Sequence, residues 1–257
     1  MTTQLDSALA TRKKCGDCAE GISAPFPFTM AFQPIVDLAR RRIYSYEALV
    51  RGPGGESAAS VLEQVNPLNK YAFDQSCRVT AIQLAARLGI IETGAKLSIN
   101  FIPGAMYRPE ACVRTTLAAA QRAGLTTDKI VLELTENEKI VDFNLLHQIF
   151  DVYCRNKLCI AIDDFGAGFA GLDLLARFQP DVLKLDMQLV RGVENVAPRR
   201  VIIAALVRIA AELGLELVVE GVETEAELTA LRALGVNLVQ GYYFAKPAFE
   251  ALPRVAL

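Results

Sequence analysis

Short apolar runs alternate with longer stretches of helical periodicity along this chain of 257 residues. The runs have the length of buried strands, and the longer stretches carry apolar residues at helical spacing. The candidate strands are residues 30–36, 43–51, 97–101, 130–135, 159–165, 182–185, 215–221 and 238–244. Eight strands in this arrangement predict an α/β protein, a closed (β/α)8 TIM-like barrel, with an open doubly wound sheet as the alternative.

The first two candidate strands are separated only by residues 37–42. This link is too short for a crossover helix, so we expect one antiparallel strand in the barrel. The later links carry helical patterns at residues 72–88, 110–123, 142–155, 172–178, 199–213 and 225–234. Thr224 and Glu227 have the spacing of a capping box. We interpret residues 1–27 as a weakly ordered leader and residues 28–257 as one barrel domain.

Composition excludes several classes of protein. A net charge of -2 gives no general attraction to DNA or to a membrane surface. No apolar run approaches the roughly 20 residues of a membrane span, and the N-terminus lacks the apolar core of a signal peptide. We therefore expect a cytoplasmic protein. Cys15 and Cys18 form a CxxC motif without a second pair, which favours a free or redox-responsive pair over a zinc site.

Polar and charged residues stand where the candidate strands end. They are Glu47, Asn100, Glu133, Glu136, Asp163, Asp164, Lys184, Asp186, Glu220, Glu223 and Gln240. A single acid at such a place is often a helix cap, but the ends of parallel barrel strands converge on one mouth. Two like charges about 4 Å apart repel by roughly 4 kcal/mol at an effective dielectric near 20. Such a cluster requires divalent cations or raised pKa values, and its oxygen ligands suit Mg²⁺ or Mn²⁺.

Two other kinds of site are disfavoured. The single histidine, His147, lies in a predicted helix and cannot supply a Ser-His-Asp site at the mouth. Residues 166–171 match the GxGxxG pattern of dinucleotide-binding folds. Asp163 and Asp164 would then face a pyrophosphate without basic compensation, so we do not assign a dinucleotide site.

Eight motifs occur in a fixed order between residues 28 and 247: FQPI (32–35), EALVR (47–51), SIN (98–100), ELTE (133–136), DDFG (163–166), KLD (184–186), EGVE (220–223) and QGY (240–242). Together they resemble the EAL-domain family of cyclic di-GMP phosphodiesterases. The resemblance implies hydrolysis of cyclic di-GMP to linear pGpG at a centre of two Mg²⁺ or Mn²⁺ ions. It also implies a homodimer and leaves room for a regulatory protein partner.

The resemblance also implies roles for individual residues. One metal ion would be held by Glu47, Asn100, Glu133 and Asp163, and the other by Asp163, Asp164 and Glu220. The implied catalytic residues are Glu220, which would orient or deprotonate the attacking water, Lys184, Glu223 and Glu136, which would hold the loop after Asp164. The implied substrate-binding residues are Gln33, Leu49, Arg51, Asp186, Gln240 and Pro247.

Two positions depart from the family pattern. Phe169, Ala170 and Gly171 stand where the family often has Tyr-Ser-Ser, which bears on coupling between the loop and a dimer interface. Gly52 stands where many members have Trp. Two other functions stay open: a non-catalytic cyclic di-GMP receptor acting through a protein partner, and a barrel enzyme acting on another phosphate substrate.

Overall fold

The computed structural model describes residues 24–106, 108–135, 143–168 and 171–256. The strands in these ranges are β1 Thr29–Asp37, β2 Arg42–Arg51, β3 Lys96–Asn100, β4 Ile130–Thr135, β5 Cys159–Phe165, β6 Val182–Leu185, β7 Glu216–Val219, β8 Leu238–Gln240 and β9 Ala248–Phe249. The α-helices are α1 Ala58–Leu62, α2 Lys70–Arg87, α3 Ile90–Thr93, α4 Pro109–Ala123, α5 Phe143–Arg155, α6 Gly171–Arg177, α7 Met187–Val190, α8 Ala197–Leu213 and α9 Glu225–Ala233.

Strands β2 to β8 lie side by side in sequence order, and each pairs in parallel with the next. Strand β1 pairs antiparallel with both β2 and β8 and thereby closes the sheet. The short β9 adds to β1 beside Ala31 and Phe32. The predicted TIM-like barrel with one antiparallel strand is confirmed, and the open-sheet alternative is wrong.

Strand β8 is shorter than the sequence predicts, since it ends at Gln240 rather than at residue 244. The chain leaves the sheet where Gly241 packs against the backbone of Val222. A Cβ atom on Gly241 would lie 2.0 Å from the Val222 carbonyl oxygen, so only glycine permits this approach. The backbone N–H of Tyr243 donates to that same oxygen at 3.0 Å. These contacts replace a continued strand with a turn at the mouth of the barrel.

Toward the amino-terminal ends of the parallel strands, the barrel interior is filled by an apolar layer, which we call the floor. It consists of Ile35, Tyr44, Val131, Ala161, Val182, Val218 and Leu238, which pack together separately from the main core. The main core lies outside the barrel, between the strands and the helices. Because side chains alternate along a strand, the residues two positions after the floor residues of β4 to β8 point to the same side and form the next layer.

Helix α9 begins as predicted. The Thr224 hydroxyl accepts from the backbone N–H of Glu227, and the Glu227 carboxylate accepts from the backbone N–H of Thr224, which completes the capping box. Most of the predicted leader, with Cys15 and Cys18, lies outside the described residues. In the described ranges, no helix is both long and apolar enough to cross a membrane.

Candidate metal centre and substrate cavity

The layer above the floor is polar. Its members on, or directly after, β4 to β8 stand two positions beyond a floor residue and are Glu133, Asp163, Lys184, Glu220 and Gln240. All of them except Glu220 are buried, and the side chain of Glu220 is 17% exposed. Strand alternation therefore brings residues that are distant in sequence to one point in the barrel.

Lys184 stands at the centre of this layer. Its Nζ atom lies 2.8 Å from Glu133 Oε2, 2.9 Å from Asp163 Oδ1 and 2.7 Å from Glu220 Oε1. Glu47 Oε2 on β2 is 3.6 Å away. One ammonium group thus faces four carboxylates, which is more negative charge than it can neutralise.

Two side-chain amides connect to the same layer. The amide of Asn100 donates to Glu47 Oε1 at 3.2 Å, and that of Gln240 donates to Glu47 Oε2 at 2.8 Å. Among the described residues, no hydrogen-bond partner reaches the buried carbonyl oxygen Oε1 of Gln240. A buried oxygen in this state is an acceptor available to a cation, a water molecule or a ligand.

Burial, together with repulsion between neighbouring carboxylates, favours the protonated form of three of these groups. Burial raises the pKa of Glu133 to about 8, even though the adjacent ammonium of Lys184 favours the charged form. Burial, and then the charge of Asp163, raise the pKa of Asp164 to about 6. Burial also raises the pKa of Glu220 well above its usual range. Carboxylates with these properties are stabilised in their charged form by bound cations.

Two groups of carboxylates have the geometry of metal ligands. Glu47, Glu133 and Asp163 form one group, and Asp163, Asp164 and Glu220 form the other, with ligand oxygens within 4.8 Å of one another in each. Asp163 belongs to both. Asp164 adopts a left-handed backbone conformation with φ 55°, which is uncommon for non-glycine residues. Asp164 lies where the pairing of β5 with β6 changes register, between Ile162 and Phe165.

A cavity of about 280 Å³ opens above the polar layer. The sequence-predicted residues that line it are Gln33, Glu47, Leu49, Asp164, Asp186, Glu220, Glu223 and Gln240. Gln33 donates to the carbonyl oxygen of Ala245 at 3.1 Å, and Asp186 caps α7 by accepting from the backbone N–H of Gln188 at 2.8 Å. The metal-ligand geometry and the cavity therefore occupy the same end of the barrel.

Other predicted residues do not line this cavity. Arg51 lies at the end of β2 and donates to the carbonyl oxygen of its neighbour Val50 at 2.7 Å. Pro247 is half-buried just before β9. Glu136, Phe169 and Ala170 lie outside the described residues, so the expectations placed on them stay predictions.

Three lining side chains were assigned no role from the sequence: Met187, Arg191 and Tyr242, the last of which belongs to the QGY motif. They lie on the segments that follow β6 and β8 rather than on strands. Met187 and Arg191 lie outside every predicted strand, so reasoning from the alternation of side chains along strands passes over them. Met187 and Arg191 do stand one and five positions after Asp186, so the sequence places them close to a predicted site residue.

The fold and the site define a TIM-like barrel whose mouth presents oxygen ligands in two overlapping groups, an arrangement suited to divalent cations. The sequence model of the EAL domain matches residues 26–247. The chain belongs to the EAL-domain family, which includes cyclic di-GMP phosphodiesterases. This result confirms the resemblance drawn from the eight motifs.

Individual relatives differ in their described roles. The chain is 33% identical to the blue light- and temperature-regulated antirepressor BluF of Escherichia coli strain K12, over 95% of this chain and 60% of BluF. It is 29% identical to the probable cyclic di-GMP phosphodiesterase PdeN of the same organism, over 86% of this chain and 43% of PdeN. The chain thus spans less than two thirds of the length of these curated relatives.

Solved structures extend the comparison. A standalone versatile EAL protein from Vibrio cholerae O395 in its c-di-GMP-bound form is 49% identical, with a TM-score of 0.87 over 91% of this chain and 98% of that chain. The manganese and cyclic di-GMP complex of Klebsiella pneumoniae BlrP1 at pH 9.0 is 35% identical, with a TM-score of 0.84 over 90% of this chain and 58% of that chain.

Proposed function

We propose that this chain is a divalent-metal-dependent phosphodiesterase that hydrolyses cyclic di-GMP to linear pGpG. The observation that carries the proposal is the gathering of four carboxylates around Lys184 directly beneath an open cavity. Membership of the EAL family and the likeness to the cyclic di-GMP complexes from Vibrio cholerae and Klebsiella pneumoniae support it.

The donor set fits hard divalent cations, because every candidate ligand is an oxygen atom. Glu47, Glu133 and Asp163, with Asn100, would hold one ion. Asp163, Asp164 and Glu220 would hold the second. Ions bound there would neutralise phosphate charge and increase the acidity of water at neutral pH. Mg²⁺ and Mn²⁺ are the ions that we propose.

The residues of the chain itself perform the remaining tasks. Lys184 fixes the carboxylates in place, and its charge opposes the negative charge that develops as the phosphodiester is attacked. Glu220 is the carboxylate of this group that is most open to the cavity, and it would accept the proton of the attacking water. Water adds to phosphorus, one ester P–O bond breaks, and the departing 3′ oxygen takes up a proton, which yields pGpG.

The substrate would lie in the cavity above this layer. Gln33, Leu49, Asp186 and Gln240 line the cavity and are our proposed contacts. Glu223, also on the lining, would support Glu220 from the same loop. Arg51, Pro247 and Glu136 remain predictions of the family resemblance.

The decisive experiment incubates the purified chain with Mn²⁺ and cyclic di-GMP and follows the appearance of pGpG by chromatography. We expect Glu47→Ala and Glu220→Ala to lower turnover by at least about 10³-fold, because each removes a charged group from the reacting centre. Glu216→Ala is the matched control, since Glu216 is an exposed glutamate at the opposite end of the strand that leads to Glu220. Near-normal turnover in either site variant would contradict the assignment.

A second function is favoured by one comparison. BluF, at 33% identity, is described as an antirepressor, which is a regulatory role. If this chain binds cyclic di-GMP in the presence of Mn²⁺ but releases no pGpG, it would be a non-catalytic cyclic di-GMP receptor that acts through a protein partner. Sedimentation analysis with and without the nucleotide would test the proposed homodimer in both cases.

A further inference from the structure

Acidic side chains outnumber basic ones on the lining of the cavity. Five lining residues are acids: Glu47, Asp164, Asp186, Glu220 and Glu223. Among the described residues that line it, Arg191 is the one basic side chain, because Lys184 lies beneath the lining. A cyclic dinucleotide carries two phosphodiester groups, each an anion at neutral pH. Carboxylates repel such a ligand, so a cation on the cavity wall has a large influence on its binding.

Arg191 is held in position by its neighbours. Its Nη2 atom forms an ion pair with Glu223 Oε1, and both side chains remain partly exposed, at 32% and 42%. The Glu227 carboxylate joins the two segments, since it accepts from the backbone N–H of Gly192 at 3.2 Å and from that of Glu223 at 2.9 Å. The guanidinium is therefore fixed at the cavity wall before a ligand arrives, which lowers the entropic cost of binding.

The guanidinium also keeps donors to spare. Arginine has five N–H donors in a planar fork, and the ion pair with Glu223 uses one nitrogen. The fork matches the paired oxygens of a phosphodiester. Arg51, the arginine that the sequence assigns to phosphate binding, is absent from the lining and donates to a backbone carbonyl oxygen instead.

We propose that Arg191 is a substrate-binding residue that donates hydrogen bonds to a phosphodiester of the cyclic dinucleotide. This inference rests on the proposed function, because it takes cyclic di-GMP as the ligand. It assigns Arg191 a binding role and no part in proton transfer.

The test measures kcat and KM for cyclic di-GMP with Mn²⁺. It also measures the Kd of cyclic di-GMP with Ca²⁺ in place of Mn²⁺, and the recovered nucleotide is checked for cleavage. We expect Arg191→Ala to raise both KM and Kd by roughly 10- to 100-fold, as expected for a lost charge-assisted hydrogen bond, with kcat changed by less than about threefold. Arg191→Lys restores part of the affinity because it keeps the charge. Arg40→Ala is the matched control, since Arg40 also pairs with a carboxylate, Asp37 at 3.0 Å, but at the amino-terminal end of the parallel strands.

Two further measurements separate direct contact from indirect effects. If Arg191 contacts the ligand, Arg191→Ala still weakens binding in a Glu223→Ala background; no effect there would mean that it acts only by holding Glu223, which contradicts the proposal. Contact with an anion also makes Kd increase with KCl concentration, and we expect a shallower dependence for Arg191→Ala. Weaker binding with an unchanged salt dependence would indicate a contact with the guanine base and overturn the phosphodiester assignment.

The outcome for the wild-type chain separates this inference from the proposed function. If wild type neither binds nor cleaves cyclic di-GMP, the proposed function fails and the inference fails with it. If wild type binds or cleaves the nucleotide and Arg191→Ala matches it in Kd and KM, only the inference fails.

Discussion

Two buried clusters of charged side chains in this protein differ in the balance between positive and negative charge. On α2, Arg78 Nη2 lies 2.6 Å from Asp74 Oδ2, and both side chains are almost fully buried. One guanidinium there meets one carboxylate, whose other oxygen accepts from the backbone N–H of Ile102 at 2.8 Å. In the barrel, Lys184 meets four carboxylates. The charges of the balanced pair neutralise each other within the chain, whereas we expect ions from solution to neutralise the excess negative charge of the unbalanced cluster.

The balanced pair still serves the site indirectly. Ile102 lies two residues after Asn100, where β3 has ended. The hydrogen bond from Ile102 to Asp74 therefore anchors the segment that carries a proposed metal ligand. We expect the two clusters to respond differently to mutation and to metal ions.

The largest effect on stability is expected from the balanced pair. Asp74→Ala leaves the Arg78 guanidinium buried without its carboxylate and should lower the free energy of unfolding by about 3–5 kcal/mol. Urea denaturation with and without Mn²⁺ would measure it, and we expect the same loss in both conditions. A double replacement, Asp74→Leu with Arg78→Met, should recover much of this loss; a double variant as unstable as the single one would contradict the charge explanation.

Metal ions should stabilise the unbalanced cluster. At a Mn²⁺ concentration 100 times the Kd, the free energy of unfolding should rise by about 2.7 kcal/mol for one occupied site. Asp163→Asn should remove most of this gain because Asp163 belongs to both carboxylate groups. Thermal unfolding with Mn²⁺ or a chelator would measure the gain, and Glu216→Gln on the exposed end of β7 is the control. A gain retained in full by Asp163→Asn would mean that Mn²⁺ binds elsewhere.

When a chelator has removed the metal ions, replacing one carboxylate of the same cluster with a neutral side chain should increase the free energy of unfolding. Glu133→Gln keeps an oxygen that can accept from Lys184 and is neutral without a proton, whereas the wild-type carboxyl group, with a pKa of about 8, must take up a proton on folding at neutral pH. We expect the metal-free protein to gain on the order of 1 kcal/mol in the free energy of unfolding while turnover with Mn²⁺ is lost. Urea titration and the pGpG assay would measure the two effects. A metal-free variant less stable than wild type would show that the cluster is balanced after all.

The smallest effect on stability is expected for an exposed ion pair. Arg177 Nε lies 2.8 Å from Asp173 Oδ2 on α6, with more than half of each side chain exposed. Asp173→Asn should lower the free energy of unfolding by no more than about 0.5 kcal/mol, because water screens the pair. The same urea titrations would resolve it, and a loss comparable with that of Asp74→Ala would undo the contrast between buried and exposed pairs.

Several strands could be predicted closely from the sequence. Strands β4, β5 and β6 begin and end at the predicted residues, because each is a short, mostly apolar run followed by a charged residue or a glycine. Strand β8 was predicted too long, since the apolar pattern continues past Gly241 while the backbone of Val222 blocks the sheet. Strand β9 has only two residues, too few for any periodicity.

The sequence by itself determined the barrel, its reversed first strand and the polar layer, since these follow from local periodicity, link length and the alternation of side chains along strands. Only the tertiary structure decided that Lys184 contacts four carboxylates and that Arg191, rather than Arg51, lines the cavity. Those facts depend on distances between segments that are far apart in the chain. No local pattern encodes such distances; the packing of the closed barrel fixes them.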